Sequence, residues 1–137
     1  AVSMIDEYPI LSVAAACAQG RTFMPGIAEL RVKETDRISV MANGLRACGV
    51  SVVEKHDSLT VSGQEKITGG VAISSQHDHR IAMSFLVLGM VSRQAVTVNG
   101  TETIATSFPE FAKLMNGAGA HIYTPKAKEK KRPEENI

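Results

Sequence analysis

The chain has little of several things, and each shortage narrows what it can be. Its 137 residues carry a net charge of only +1, so no global basic field argues for nucleic acid. The basic character that exists lies in the last thirteen residues, where Lys126, Lys128, Lys130, Lys131 and Arg132 outnumber Glu129, Glu134 and Glu135. That stretch has no aromatic side chain on which a base could stack, and its acids dilute its charge. No apolar run reaches membrane-spanning length, and no basic segment followed by a signal-type apolar core opens the chain. There are only two cysteines, Cys17 and Cys48, each inside an apolar helical pattern. They are expected as buried free thiols of a reducing cytoplasm rather than as a disulfide. An initiator methionine is also missing: the chain opens on Ala1-Val2-Ser3-Met4 and reads as a piece of something longer.

What is present suits one globular domain of α/β class. Hydrophobic residues make up 44% of the chain and charged residues 21%, enough to bury a core. Asp6-Glu7-Tyr8-Pro9 is expected to open a first helix that runs to Gly20 and is buried on most sides. Arg21 to Met24 reads as a strand and Pro25-Gly26 as a turn. Ile38, Met41, Ala42, Leu45 and Cys48 recur at helical spacing, with Thr35 or Asp36 as N-cap and Gly49 at the stop. A hairpin is expected over Val50–Lys55 and Leu59–Ser62, then a loop over Gln64–Gly70. Val71-Ala72-Ile73 is a strand, Asp78 opens a third helix, and Ala95 to Val98 is a strand. Ser107-Phe108-Pro109-Glu110 reads as a capping box before a fourth helix, and Ala120 to Tyr123 as a last strand. From Pro125 the chain is charged and expected to be disordered.

The two halves echo each other. Asp6 corresponds to Asp78, each opening a helix, and Thr35 corresponds to Ser107 at the same spacing. We expect two packed repeats, about 1–70 and 71–124, followed by a tail over 125–137. The first repeat lacks the strand that would precede Asp6.

The densest chemistry is Leu30-Arg31-Val32-Lys33-Glu34-Thr35-Asp36-Arg37-Ile38. Lys33, Glu34 and Arg37 fall at or near a helix N-terminus, where free N–H groups and the dipole favour anions. Lys and Arg there suit phosphate or carboxylate, and Glu34 suits proton transfer beside a bound anion. Gln76-His77-Asp78-His79-Arg80 repeats the theme at the third helix, with Arg80 as a second clamp. The plain alternative is that these charges only solvate helix ends. His77 and His79 invite a metal, but no cysteine or third histidine completes a set, so a metal role ranks below an anion site. If the repeats pack side by side, Asp6, Lys33-Glu34-Arg37 and His79-Arg80 meet in one pocket. Such a pocket fits group transfer on a phosphorylated or carboxylated substrate.

Met4-Ile5-Asp6-Glu7-Tyr8-Pro9-Ile10-Leu11, Leu30 through Arg37, Asp78-His79-Arg80-Ile81-Ala82-Met83 and Thr106-Ser107-Phe108-Pro109 together closely resemble the 5-enolpyruvylshikimate-3-phosphate synthase family. The wording is most similar to the bacterial class that includes glyphosate-tolerant enzymes. The resemblance runs from about Met4 to about Ile122 and covers roughly the last third of the family's chain. It implies repeated βαβαββ units of the inside-out α/β barrel fold, with about two units of the C-terminal domain present. It further implies transfer of the enolpyruvyl group of phosphoenolpyruvate to the 5-hydroxyl of shikimate 3-phosphate, releasing phosphate, with no cofactor. By resemblance Asp6 contacts the 5-hydroxyl and accepts a proton, Lys33 binds shikimate 3-phosphate, and Glu34 moves the proton at C3 of phosphoenolpyruvate. Arg37 and Arg80 bind phosphoenolpyruvate, and the nearby His79 joins Asp6 and Glu34 as a catalytic residue. Glyphosate is the family's inhibitor. Some members have lysine at the position of Thr106 and use it on phosphoenolpyruvate; that charge is absent here. The resemblance makes the missing N-terminal portion a partner and the lone chain inactive. The related UDP-N-acetylglucosamine enolpyruvyl transferases fit the Lys-Glu-Thr-Asp-Arg and Asp-His-Arg motifs less well, and a non-catalytic docking module is the alternative from another class.

Overall fold

The computed structural model describes residues 2–126. A 3-10 turn over Val2–Glu7 leads into α1 (Tyr8–Cys17), followed by β1 (Arg21–Pro25) and a second 3-10 turn over Ala28–Val32. Then come α2 (Arg37–Ala47), β2 (Ser51–Lys55), β3 (Ser58–Ser62), β4 (Ile67–Gly69) and β5 (Ala72–Ser74). The chain continues through α3 (His79–Gly89), β6 (Ser92–Gln94), β7 (Thr97–Asn99), α4 (Ile104–Ser107) and α5 (Phe111–Gly117). No helix among the described residues is long and apolar enough to cross a membrane.

The expected hairpin forms: β2 and β3 pair antiparallel, with Val52 opposite Val61. β1 adds to the other edge of β3, with Met24 opposite Leu59. Alternation sends Met24, Val52, Leu59 and Val61 to the core. The second half is built differently, as two short parallel pairs, β4 with β6 and β5 with β7.

Three helices fill the interior. α2 and α3 present the apolar stripes that their spacing dictates, Ile38, Met41 and Leu45 on one and Ile81, Phe85 and Leu88 on the other, all essentially solvent-free. They approach closely because Gly44 has no side chain: a Cβ there would sit 2.2 Å from Phe85 Cζ. Gly49, at φ +92, turns the chain out of α2 as expected.

Several expectations are corrected. Asp6 does not open α1; it lies in the preceding 3-10 turn, and Glu7 takes the cap position without a side-chain bond. α1 is not buried on most sides, since Ile10 and Cys17 are exposed; Cys48 is buried as expected. The stretch 64–70 is not all loop, because its backbone at Ile67–Gly69 finds a parallel partner in Ser92–Gln94. Ile67–Gly69 is only three residues long and Ser92–Gln94 is wholly polar, so it is their backbone pairing that makes them strands. The strand expected over Ala95–Val98 sits two residues on, at Thr97–Asn99. The Ser107 capping box is absent: Ser107 ends α4, and Glu110 precedes α5 without a side-chain cap. Pro109 disfavours helix at Phe108, which sits outside the helical region at φ −151 and ψ 71 and breaks the segment into two. Ala120–Tyr123 is not a strand. There the Asn116 side chain accepts from Ile122 N–H at 2.7 Å and donates to its carbonyl at 2.9 Å, standing in for a neighbouring strand. Of the tail, Pro125 and Lys126 are exposed, and the disorder expected beyond them falls on 127–137, outside the described residues.

Candidate active site

Two aspartates at helix starts organise the site. Asp36 caps α2, accepting from Ser39 N–H at 3.1 Å. Asp78 caps α3, accepting from Arg80 N–H at 3.1 Å and Ile81 N–H at 3.5 Å. Asp78 is fully buried, and its carboxylate also faces α2. It takes Arg37 Nε at 2.9 Å, Arg37 Nη2 at 3.3 Å and the Thr35 hydroxyl at 2.9 Å. Burial pushes its pKa upward, but the bonds from Arg37 and Thr35 and the Arg37 charge outweigh that and hold it below the ordinary carboxylate value.

Arg37 is the hub. Its side chain is 1% exposed. Beyond Asp78, Nη1 reaches Asp6 at 3.2 Å and Nη2 makes a short contact with Glu34. One guanidinium therefore gathers three carboxylates, two of them on the rim: Asp6 is 44% and Glu34 54% exposed. Lys33 Nζ lies 3.8 Å from Asp6 and 3.4 Å from Glu29. Arg80 closes the other flank, donating to the Asp6 carbonyl at 3.2 Å and lying 3.6 Å from Glu7. Arg80 and Asp6 also line a groove of about 220 Å³. The groove continues over apolar Ile10, Met83, Val87, Phe108 and Phe111.

The structure thus brings together Asp6, Lys33, Glu34, Arg37 and Arg80. His79 is half-buried in the first turn of α3 and makes no hydrogen bond or ion pair with the described residues. His77 turns instead to Glu102, and both it and Gln76 hold left-handed backbone. Thr106 donates to the Thr103 carbonyl at 2.9 Å. Among the described residues no three His, Cys, Asp or Glu side chains gather as a metal set. The residue that sequence reasoning passed over is Asp78. It was visible as a helix cap, but nothing local signals a partner 41 positions away.

The fold is α/β, and at the ends of its interior helices it sets cations beside carboxylates. The comparisons make the class specific. The family model for EPSP synthase (3-phosphoshikimate 1-carboxyvinyltransferase) matches residues 2–115. Among relatives, the 3-phosphoshikimate 1-carboxyvinyltransferase of Paramagnetospirillum magneticum is 60% identical over 123 residues, spanning 89% of this chain and 28% of its own. That of Cereibacter sphaeroides is 58% identical over 122 residues, 89% of this chain and 27% of its own. Two solved structures of EPSP synthase from Acinetobacter baumannii superpose with TM-scores of 0.81 and 0.82, at 48% and 44% identity. They match 85% and 90% of this chain and 28% of theirs. The chain belongs to the EPSP synthase family and has its fold, and it spans just over a quarter of the length of these relatives.

Proposed function

We propose that this chain supplies the C-terminal part of an enolpyruvyl-transfer site. There the enolpyruvyl group of phosphoenolpyruvate passes to the 5-hydroxyl of shikimate 3-phosphate and phosphate leaves. The observation that carries the reading is the gathering of Asp6 and Glu34 around Arg37, with Lys33 and Arg80 on either side. Two carboxylates placed for proton transfer sit among cations placed for anions, on rigid helix ends.

In this reading Lys33 holds the phosphate of shikimate 3-phosphate, and Asp6 takes the proton of its 5-hydroxyl. Arg80 holds phosphoenolpyruvate, Glu34 moves the proton at its C3, and His79 stands beside Arg80. Arg37 is already engaged by Asp6, Glu34 and Asp78. An incoming carboxylate therefore reaches it by displacing a rim carboxylate, which would couple phosphoenolpyruvate binding to release of Glu34 for proton transfer. Thr106 brings no charge to phosphoenolpyruvate, and it is the residue through which this chain's response to glyphosate would differ from members with lysine there.

We read 1–124 as part of the C-terminal domain in two repeats, about 1–70 and 71–124. Substrate ligands outside this chain belong to the remaining N-terminal portion, so turnover requires that portion and binding by the lone chain is weak. The test is an NMR titration of the chain with shikimate 3-phosphate and with phosphoenolpyruvate. Saturable shifts at Lys33 and Asp6 with the first, and at Arg80 and Glu34 with the second, are expected. Shifts confined to other surfaces, or identical ones with inorganic phosphate alone, would contradict the assignment.

A further inference from the structure

Between the 3-10 turn that ends at Val32 and the start of α2 at Arg37, the chain makes a short arch carrying Lys33, Glu34 and Thr35. Val32, at its edge, is 80% exposed, and Glu34 is exposed, while Lys33 and Thr35 are half-buried. Its two feet are joined by one side chain. Arg31 Nη1 grips the Asp36 carboxylate at 2.9 and 3.2 Å, tying the residue before the arch to the residue after it. The same guanidinium reaches down to the β2–β3 hairpin. Nε donates to the His56 carbonyl at 2.8 Å, Nη2 to the Lys55 carbonyl at 2.7 Å, and Nη1 to Glu54 at 3.1 Å. Asp57, at the hairpin tip, holds the approach to the arch by accepting from Ala28 N–H at 2.6 Å. On the other side Thr35 is fastened to Asp78 at 2.9 Å.

We infer that Arg31 is a positioning residue: it staples the arch shut against the hairpin and so presets where Lys33 and Glu34 stand. Only a guanidinium can do this. Its planar fork addresses two carboxylates and two backbone carbonyls at once, whereas an ammonium acts from a single point. Asp36 and Glu54 keep the guanidinium protonated more firmly than usual, overcoming the burial that opposes it. None of its partners is a group placed against substrate, so Arg31 acts through the arch. The functional consequence rests on the proposed transfer reading, in which Lys33 binds an anion and Glu34 moves a proton. The geometric claim stands apart from it and needs no ligand to test.

The experiment uses the full chain and two variants. Arg31→Lys keeps the charge and removes the fork. Asp36→Asn keeps a good N-cap for α2 and removes the ion pair. Backbone order parameters are measured across Val32–Thr35, with amide exchange of Leu45 and Val61 as reference for the core. In the native chain the arch is expected to be rigid, with order parameters near ~0.85; in Arg31→Lys they should fall below ~0.6, and in Asp36→Asn part of the way, with core exchange unchanged. An arch that stays rigid in both variants overturns the inference. So does loss of protection in Leu45 and Val61 together with the arch, because Arg31 would then be a general brace. Failure of the substrate titration, by contrast, would sink the transfer reading and leave the staple intact.

Discussion

Arg37 and Asp78, 41 positions apart in sequence, meet with Nε 2.9 Å from Oδ2, and both side chains are withdrawn from solvent. The pair locks the start of α2 to the start of α3, since each partner belongs to a helix N-terminus. Removing Asp78's charge takes from Arg37 its one fully buried partner and leaves only the rim carboxylates Asp6 and Glu34. Asp78→Asn should therefore cost about 3 kcal/mol, read as a lowered urea midpoint at neutral pH. A loss under about 0.5 kcal/mol, the scale of an ordinary surface substitution, would mean that the guanidinium finds other partners.

The same pair sets an acid limb. The native Asp78 pKa is lowered, despite burial, by Arg37 and Thr35, so the unfolded chain binds this proton more readily than the folded one. The stabilisation is full well above the unfolded value, about 4, and is lost as pH falls through the lower native value. Urea midpoints should drop steeply below about pH 4 in the native chain and more shallowly in Asp78→Asn. Equal slopes would contradict the assignment.

Gly44→Ala tests the packing of α2 on α3. The new methyl falls 2.2 Å from Phe85 Cζ, inside any contact distance. Overpacking of this kind costs about 1–3 kcal/mol, even though alanine favours helix over glycine. Thermal unfolding should show a lower midpoint, and Phe85→Leu in the same chain should restore part of it.

The two thiols should separate cleanly. Burial raises the pKa of both thiols, but Cys17 remains exposed while Cys48 is buried. A thiol-specific reagent under native conditions should label one group per chain, at Cys17. Equal labelling of both would mean that the end of α2 opens readily.

How much of this was legible beforehand depended on range. The α2 and α3 stripes and the Asp36 and Asp78 caps follow from local spacing, and the β2–β3 hairpin was legible too. β4 and β6 were not, because Ile67–Gly69 and Ser92–Gln94 are strands only by virtue of each other. Asn116 hides in the same way, replacing a strand partner with a side chain. The Ser107 capping box read correctly as a motif and failed as structure, because Pro109 broke the helix after Ser107. In the site, the charged clusters marked Lys33, Glu34, Arg37 and Arg80. Their meeting with Asp6 was expected only on condition that the repeats pack side by side, and the role of Asp78 beneath them comes from helix packing that no local pattern carries.

The most direct measurement is phosphate release from phosphoenolpyruvate and shikimate 3-phosphate, with this chain alone and then with the N-terminal portion of an EPSP synthase relative added. Turnover only in the mixture, abolished by Glu34→Ala in this chain, is the expected result. Turnover by the chain alone, or none from a folded and associated mixture, would contradict its place as the C-terminal part of the transfer site.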